Sequence, residues 1–122
     1  MKEKNQPFGV DYVPKSKLAK IVDGKVFVGK ISEILSGHAK AIRLENFSIA
    51  VFNVNGEFFA VKDACPHAEY PLSKGILKGD EVTCASHGWQ FNICTGKCLK
   101  GEVDSIRTFR VVVEKDDIWV CV

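Results

Sequence analysis

The chain has 122 residues, 46% of them hydrophobic and 26% charged, with a formal net charge of +2 at pH 7. This composition excludes a disordered tail and a collagen-like fibre, and the length suits one domain, residues 1–122. The longest apolar stretches are four to six residues, far short of the ~18 that a membrane span needs. The first residues lead into no apolar segment of a secretory signal. We therefore predict a cytoplasmic protein, monomeric in isolation, that does not enter a membrane.

The positive charge is concentrated near the N-terminus. Residues 1–30 carry a net charge of +4, and residues 31–122 carry −2. Either this basic segment is simply solvated, or it docks onto an acidic partner. No basic stripe is interleaved with aromatic residues, so no nucleic-acid partner is expected.

Strands are predicted along most of the chain after an extended lead-in at residues 1–20. Asn55-Gly56 joins two apolar runs, 47–54 and 57–61, and tolerates positive φ at both positions, which predicts a hairpin. At most one helical turn is expected, from Ser32. The other predicted strands are 26–31, a segment around 42–44, 81–84, 89–93, 106–114 and 118–122, the last two paired through residues 115–117.

These short strands, with no amphipathic helix of ten residues or more, predict an all-β fold, an antiparallel sandwich or barrel. Residues 63–105 interrupt the β pattern. They contain four of the five cysteines and two of the three histidines. We therefore expect residues 63–105 to form an inserted subdomain that carries the functional site.

Two short pairs of candidate ligands stand in this insertion. Cys65-Pro66-His67 and Cys84-Ala85-Ser86-His87 are separated by sixteen residues. Two thiolates and two imidazoles can hold a tetrahedral Zn²⁺, but zinc fingers usually group the two cysteines in one pair. Here each loop supplies one of each, which suits a [2Fe–2S] centre with both cysteines on one iron and both histidines on the other. In such a centre the histidines can face solvent, and the thiolates can lie deeper.

The same residues carry a resemblance to a known family. Cys-x-His, sixteen residues and Cys-x-x-His is the signature of Rieske proteins, and the segments 67–75, 87–91 and 95–99 are similar to the loops and hairpin of that family. The resemblance extends from about residue 24 to 120. It implies one [2Fe–2S] cluster per chain, held by Cys65, His67, Cys84 and His87, in a small ferredoxin that functions as an electron carrier and not as an enzyme.

The resemblance also implies a low-potential subtype. High-potential relatives have a loop disulfide at the positions of Tyr70 and Ser86, and hydroxyl donors at the positions of Trp89 and Phe91. Fewer hydrogen bonds to the cluster leave its reduced form less stabilised. The loop at residues 100–104 lacks the proline that is often found there in the family.

Three functions are compatible with the sequence. The first is a one-electron carrier that passes electrons from a reductase to an acceptor such as a ring-hydroxylating oxygenase. The second is an accessory small subunit of a nitrite reductase-like complex, and the third is a zinc-stabilised interaction module without a redox role. No dinucleotide fingerprint, phosphate loop or Gly-x-Ser-x-Gly motif is present, so no NAD, flavin or catalytic constellation is expected.

Several residues remain outside the predicted site. Cys94 and Cys98 are expected to be half-buried thiols, with a redox pair as the alternative, and Cys121 is expected to pack in the last strand. His38 is expected on the surface. Asp63 and Glu69, which flank the first loop, are expected to be solvated, with a docking contact as the alternative.

Overall fold

The computed structural model describes residues 17–66 and 69–122, and the described residues form eleven strands. Two 3-10 helices, Ile31–Glu33 and Leu72–Lys74, lie within them, the first at the predicted helical turn. Most of the predicted lead-in falls outside the described residues. The strands are β1 (Ile21–Val22), β2 (Lys25–Lys30), β3 (Ala39–Arg43), β4 (Ser48–Val54), β5 (Glu57–Lys62), β6 (Ile76–Lys78), β7 (Glu81–Thr83), β8 (Gln90–Asn92), β9 (Cys98–Lys100), β10 (Thr108–Glu114) and β11 (Asp117–Cys121).

Seven strands form one antiparallel sheet in the order β1-β2-β11-β10-β5-β4-β3. The Ala19 N–H donates to the Arg43 carbonyl at 2.8 Å, so the chain just before β1 meets β3 at the other edge of the sheet. This contact curls the sheet towards a barrel. The predicted all-β antiparallel architecture is confirmed.

Two hairpins of this sheet follow directly from their turn residues. Asn55 and Gly56 have φ of 53° and 93°, and β4 pairs with β5 from Val54↔Glu57 onward. Lys115, with φ of 56°, turns β10 into β11. Both predicted hairpins are confirmed, because two adjacent strands and a tight turn are specified locally.

A second sheet of four strands, β6-β7-β8-β9, is inserted between β5 and β10. It lies within residues 63–105, the segment expected to carry the site. Strands β7 and β8 are predicted from the sequence, whereas β6 and β9 are not. The missed strands have the sequences Ile-Leu-Lys and Cys-Leu-Lys, and neither shows the alternation of polar and apolar residues that indicates a strand.

Strand β4 of the seven-stranded sheet is buried on both faces and contributes to two cores. Ile49 and Val51 of β4 belong to the core inside the curled sheet, and Ala50 and Phe52 belong to a second core beneath the inserted sheet. This double burial explains the continuous apolar run of β4. The second core continues into the insertion through Leu72, Val82, Phe91, Ile93 and Ile106. In the described part of the chain, no helix is long and apolar enough to cross a membrane.

Candidate metal centre

The first ligand loop is closed by two main-chain hydrogen bonds at Cys65. The Cys65 carbonyl accepts from the Glu69 N–H at 2.5 Å, and the Cys65 N–H donates to the Tyr70 carbonyl at 2.8 Å. Glu69 has a positive φ of 53°, which turns the chain back towards its start. These two bonds therefore join Cys65 to Glu69 and Tyr70 and close the first ligand loop.

The second ligand loop has the same hydrogen bonds at the same spacing. The Cys84 carbonyl accepts from the Gly88 N–H at 3.0 Å, and the Cys84 N–H donates to the Trp89 carbonyl at 2.7 Å. Gly88 has a φ of 77°. Each predicted cysteine ligand is thus followed, four residues later, by a left-handed residue that closes the loop.

The structure brings the two cysteines into one environment. Cys65 is 1% exposed and Cys84 is 2% exposed, and both belong to the core beneath the inserted sheet. His87 is exposed, and its Nδ1 lies 3.0 Å from Ser86 Oγ. The thiols are therefore deep and His87 lies at the surface. His67, the fourth predicted ligand, lies outside the described residues.

Among residues 17–66 and 69–122, no three His, Cys, Asp or Glu side chains converge in a metal-binding group. Two residues of the predicted ligand set, Cys65 and Cys84, belong to one buried core.

Asp63, which lies just before the first ligand loop, is hydrogen-bonded to Ser73, which lies just after it. Its two carboxylate oxygens accept from the N–H and the hydroxyl of Ser73, each at 2.7 Å. Asp63 is buried, so the expectation of a solvated side chain is wrong for this residue, whereas Glu69 is exposed as expected. A buried carboxylate needs such donors, and the distant Ser73 that supplies them is not apparent from the sequence.

The loop at residues 100–104, which lacks proline, packs against the second ligand loop at a glycine. A Cβ built on Gly101 would lie 2.6 Å from the indole of Trp89 and 3.1 Å from Cys98 Sγ. The Cys98 N–H also donates to the Asp104 carbonyl at 2.9 Å. Gly101 therefore lets residues 100–104 pack closely on Trp89, the residue that closes the second ligand loop.

The remaining three thiols lie outside the two ligand loops in the sequence, although Cys98 packs against the core that contains Cys65 and Cys84. Cys94, Cys98 and Cys121 are all half-buried and form no disulfide, which agrees with the expected role of Cys94 and Cys98. Burial raises the pKa of the Cys94 thiol above its usual value, and the charges of Asp80 and Glu57 add to that effect. His38 is exposed, as expected.

Comparison with known proteins identifies the family of the chain and its cofactor. The family model of the Rieske [2Fe-2S] domain matches residues 24–110. The chain belongs to the Rieske [2Fe-2S] family. The predicted cofactor, one [2Fe–2S] cluster, is thereby confirmed, and the zinc alternative is wrong.

The relatives of this Rieske protein include small ferredoxins. It is 35% identical to the ferredoxin component of the naphthalene 1,2-dioxygenase system of Pseudomonas putida, over 69% of this chain and 82% of the relative. It is 47% identical to the ferredoxin component of biphenyl 2,3-dioxygenase of Rhodococcus jostii, over 59% of this chain and 68% of the relative. A solved complex of reduced oxygenase and oxidized ferredoxin in carbazole 1,9a-dioxygenase contains a chain that matches with a TM-score of 0.78 and 29% identity, covering 82% of this chain and 94% of that one.

These relatives are named as ferredoxin components, which are electron carriers within multi-protein systems. The prediction that this Rieske protein is an electron-transfer protein and not an enzyme is therefore confirmed. The residues present also fit the cluster chemically: two equivalent turns each present a buried thiol, and thiolates are the cysteine form that binds iron.

Proposed function

We propose that Cys65, His67, Cys84 and His87 hold the [2Fe–2S] cluster, with the cysteines on one iron and the histidines on the other. The observation that carries this assignment is the matching pair of loop closures at Cys65 and Cys84. Equivalent turns present equivalent side chains, and both thiols lie in one core. The exposure of His87 supports a histidine side that faces the solvent.

We also propose that the chain carries single electrons from a reductase to a ring-hydroxylating oxygenase. Its similarity to ferredoxin components of naphthalene and biphenyl dioxygenases, over two thirds or more of their length, supports this role. When bound, the cluster supplies reversible one-electron chemistry. The whole chain, residues 1–122, would function as a single domain and as a monomer.

The residues of the chain perform two tasks in this role. The buried side chains of Leu72 and Phe91 belong to the same core as the two cysteines and keep water away from them. His87, at the surface, offers a short path from the cluster to a docked protein. Because electron transfer needs close approach, this exposed side of the loops is the proposed exit.

We infer a low reduction potential and a cytoplasmic location. Trp89 and Phe91 stand where hydroxyl donors would stabilise a reduced cluster, which places the midpoint near the low end of the ~ −150 to +300 mV range of Rieske centres. With two cysteines as iron ligands, the other three need no oxidising compartment. A midpoint reduction potential above about +100 mV would contradict the proposed low-potential subtype.

A reconstituted electron-transfer chain tests the proposed role. The purified holoprotein is added to the reductase and oxygenase components of the Pseudomonas putida naphthalene dioxygenase system in place of their own ferredoxin. Product formation that depends on this protein, and that is lost in Cys84→Ser, supports the role. Tight co-purification with a nitrite reductase large subunit, together with no electron transfer to the oxygenase, would favour the accessory-subunit alternative.

A further inference from the structure

Three basic side chains lie at one end of the larger sheet, beside the first ligand loop. The Lys62 N–H donates to the Arg107 carbonyl at 2.9 Å, so these residues are cross-strand neighbours where β5 ends and β10 is about to begin. Arg43 ends β3 at the same end of the sheet, because β3, β4 and β5 pair in continuous register. We call Arg43, Lys62 and Arg107 the basic edge.

The basic edge lacks neutralising partners. In the part of the chain that the structure describes, no carboxylate lies within salt-bridge distance of these three residues, and all three are exposed. The buried carboxylate of Asp63 accepts from Ser73 instead. Glu69, which is exposed, and the buried Asp63 line the same surface, so three cations face two carboxylates.

At the opposite end of the sheet, two lysines are paired with carboxylates. Lys40, at the other end of β3 from Arg43, pairs with Glu33 at 2.8 Å, and Lys30 pairs with Asp117 at 2.6 Å. Like charges on directly opposed residues of a sheet are destabilising. The adjacent Lys62 and Arg107 therefore reduce stability, and their uncompensated charge is more readily explained by binding than by folding.

Arg107 is held in place for binding. Its guanidinium lies 4.6 Å from the ring centroid of Phe109 and 5.7 Å from that of Phe47, and the two rings are stacked at 5.9 Å. A guanidinium that rests on aromatic faces keeps its edge N–H groups available for carboxylates. Because it is already ordered, less entropy is lost when a partner binds.

The surface beside the basic edge is concave and reaches the ligand loop. A depression of about 300 Å³ is lined by Lys62, Pro66, Glu69 and Arg107 among others. Pro66 directly follows Cys65. A protein group bound to this basic edge would therefore lie against the loop that carries a proposed cluster ligand.

We propose that the basic edge docks an acidic surface of the redox partner protein and so places that partner against the first ligand loop. The proposal rests on the proposed electron-carrier function and names the chemistry of the partner. Carboxylates on the partner pair with Lys62 and Arg107, and this steering raises the association rate at low ionic strength.

Stopped-flow oxidation of the reduced holoprotein tests this docking with two acceptors of opposite charge, the acidic copper protein plastocyanin and the basic haem protein cytochrome c. Lys62→Glu and Arg107→Glu should each slow reaction with plastocyanin by about ten-fold at low ionic strength. The same variants should speed reaction with cytochrome c. Their midpoint potentials should equal that of the wild type, so that only docking has changed.

Lys115→Glu is the matched control, because it makes the same charge change in the exposed turn at the far end of β10. It should alter either rate less than two-fold. Equal slowing by Lys115→Glu, or no slowing by either edge variant, would overturn the docking surface. So would a wild-type dimer, seen by sedimentation, that Lys62→Glu dissociates. A wild-type protein that supports product formation in the reconstituted dioxygenase chain, but whose reaction with plastocyanin does not depend on ionic strength, would overturn the docking surface and leave the electron-carrier function standing.

Discussion

Gly75 packs directly against the main-chain carbonyl of Thr83: a Cβ built on Gly75 would contact that oxygen. Gly75 has φ of −80° and ψ of −177°, a conformation open to any residue, so the absence of a side chain is required by space and not by the backbone. Thr83 directly precedes Cys84, and Gly75 follows the 3-10 helix after the first loop. This contact therefore fixes the spacing between the two ligand loops.

Gly75→Ala should separate the loops and weaken cluster retention. The methyl group meets a backbone atom that cannot rotate away, so the expected cost is about 1–3 kcal/mol of unfolding free energy, with loss of iron during purification. Gly79→Ala is the control for a cost of backbone conformation alone: no atom lies within 4 Å of its Cβ position, but its φ is 60°, so it should lower the free energy of unfolding by about 1 kcal/mol without loss of iron. Equal iron content in Gly75→Ala and wild-type protein would contradict the spacing role.

Substitutions at equivalent positions of the two ligand loops should change the free energy of unfolding in opposite directions. Glu69 and Gly88 both follow a buried cysteine by four residues and both have positive φ. A side chain in this conformation costs about 1 kcal/mol. Gly88→Ala should therefore lower the free energy of unfolding by about that amount, and Glu69→Gly should retain or raise it. Urea unfolding of the two variants measures both changes, and a strong destabilisation by Glu69→Gly would show that its side chain has another role.

The packing of Gly101 on Trp89 predicts coupling between these residues. Gly101→Ala should cost about 1–3 kcal/mol, because the new methyl group overlaps the indole. On a Trp89→Leu background the same change should cost less, since the smaller side chain leaves room. Urea unfolding of the four proteins gives the coupling free energy. Additive costs would indicate that Gly101→Ala acts only through its backbone conformation.

The Cys94 thiol should react with alkylating agents more slowly near neutral pH than an unperturbed cysteine does. Burial is the main cause that raises its pKa above the usual 9.0, followed by the charges of Asp80 and Glu57. Thiolate is the reactive form, so a raised pKa moves the rate profile to higher pH. Iodoacetamide labelling of Cys94, followed by mass spectrometry, should show a midpoint above that of the same thiol in the protein unfolded in urea. Asp80→Asn should lower the midpoint only in part, and a midpoint below the reference would show that the thiol is not desolvated.

Local features of the fold were predictable, and long-range contacts were not. The Asn55-Gly56 turn determines its hairpin through two adjacent residues, so the sequence alone was sufficient. The contacts of Gly75 and Gly101 depend on residues eight and twelve positions away, respectively, and nothing near either glycine indicates them. Asp63 looks like a solvated acid in the sequence, because its partner Ser73 lies beyond the ligand loop.

The sequence predicts a set of cluster ligands, whereas the structure of the loops that carry them could not be predicted from it. Short spacing between cysteine and histidine is a strong sequence signal, since ligands of one metal centre must lie close together. The identical closure of the two loops depends on main-chain hydrogen bonds and on a left-handed conformation at Glu69. That conformation is uncommon for a residue other than glycine, so the sequence does not show it.

Pulsed EPR of the reduced holoprotein, with histidine labelled by ¹⁵N, tests the central assignment most directly. If His67 and His87 bind one iron, the spectrum should show two coupled histidine nitrogens. Replacing either residue by alanine should abolish the Rieske signal, whereas His38→Ala should leave it unchanged. A [2Fe–2S] signal with no nitrogen coupling, or one that persists in His87→Ala, would contradict the assignment.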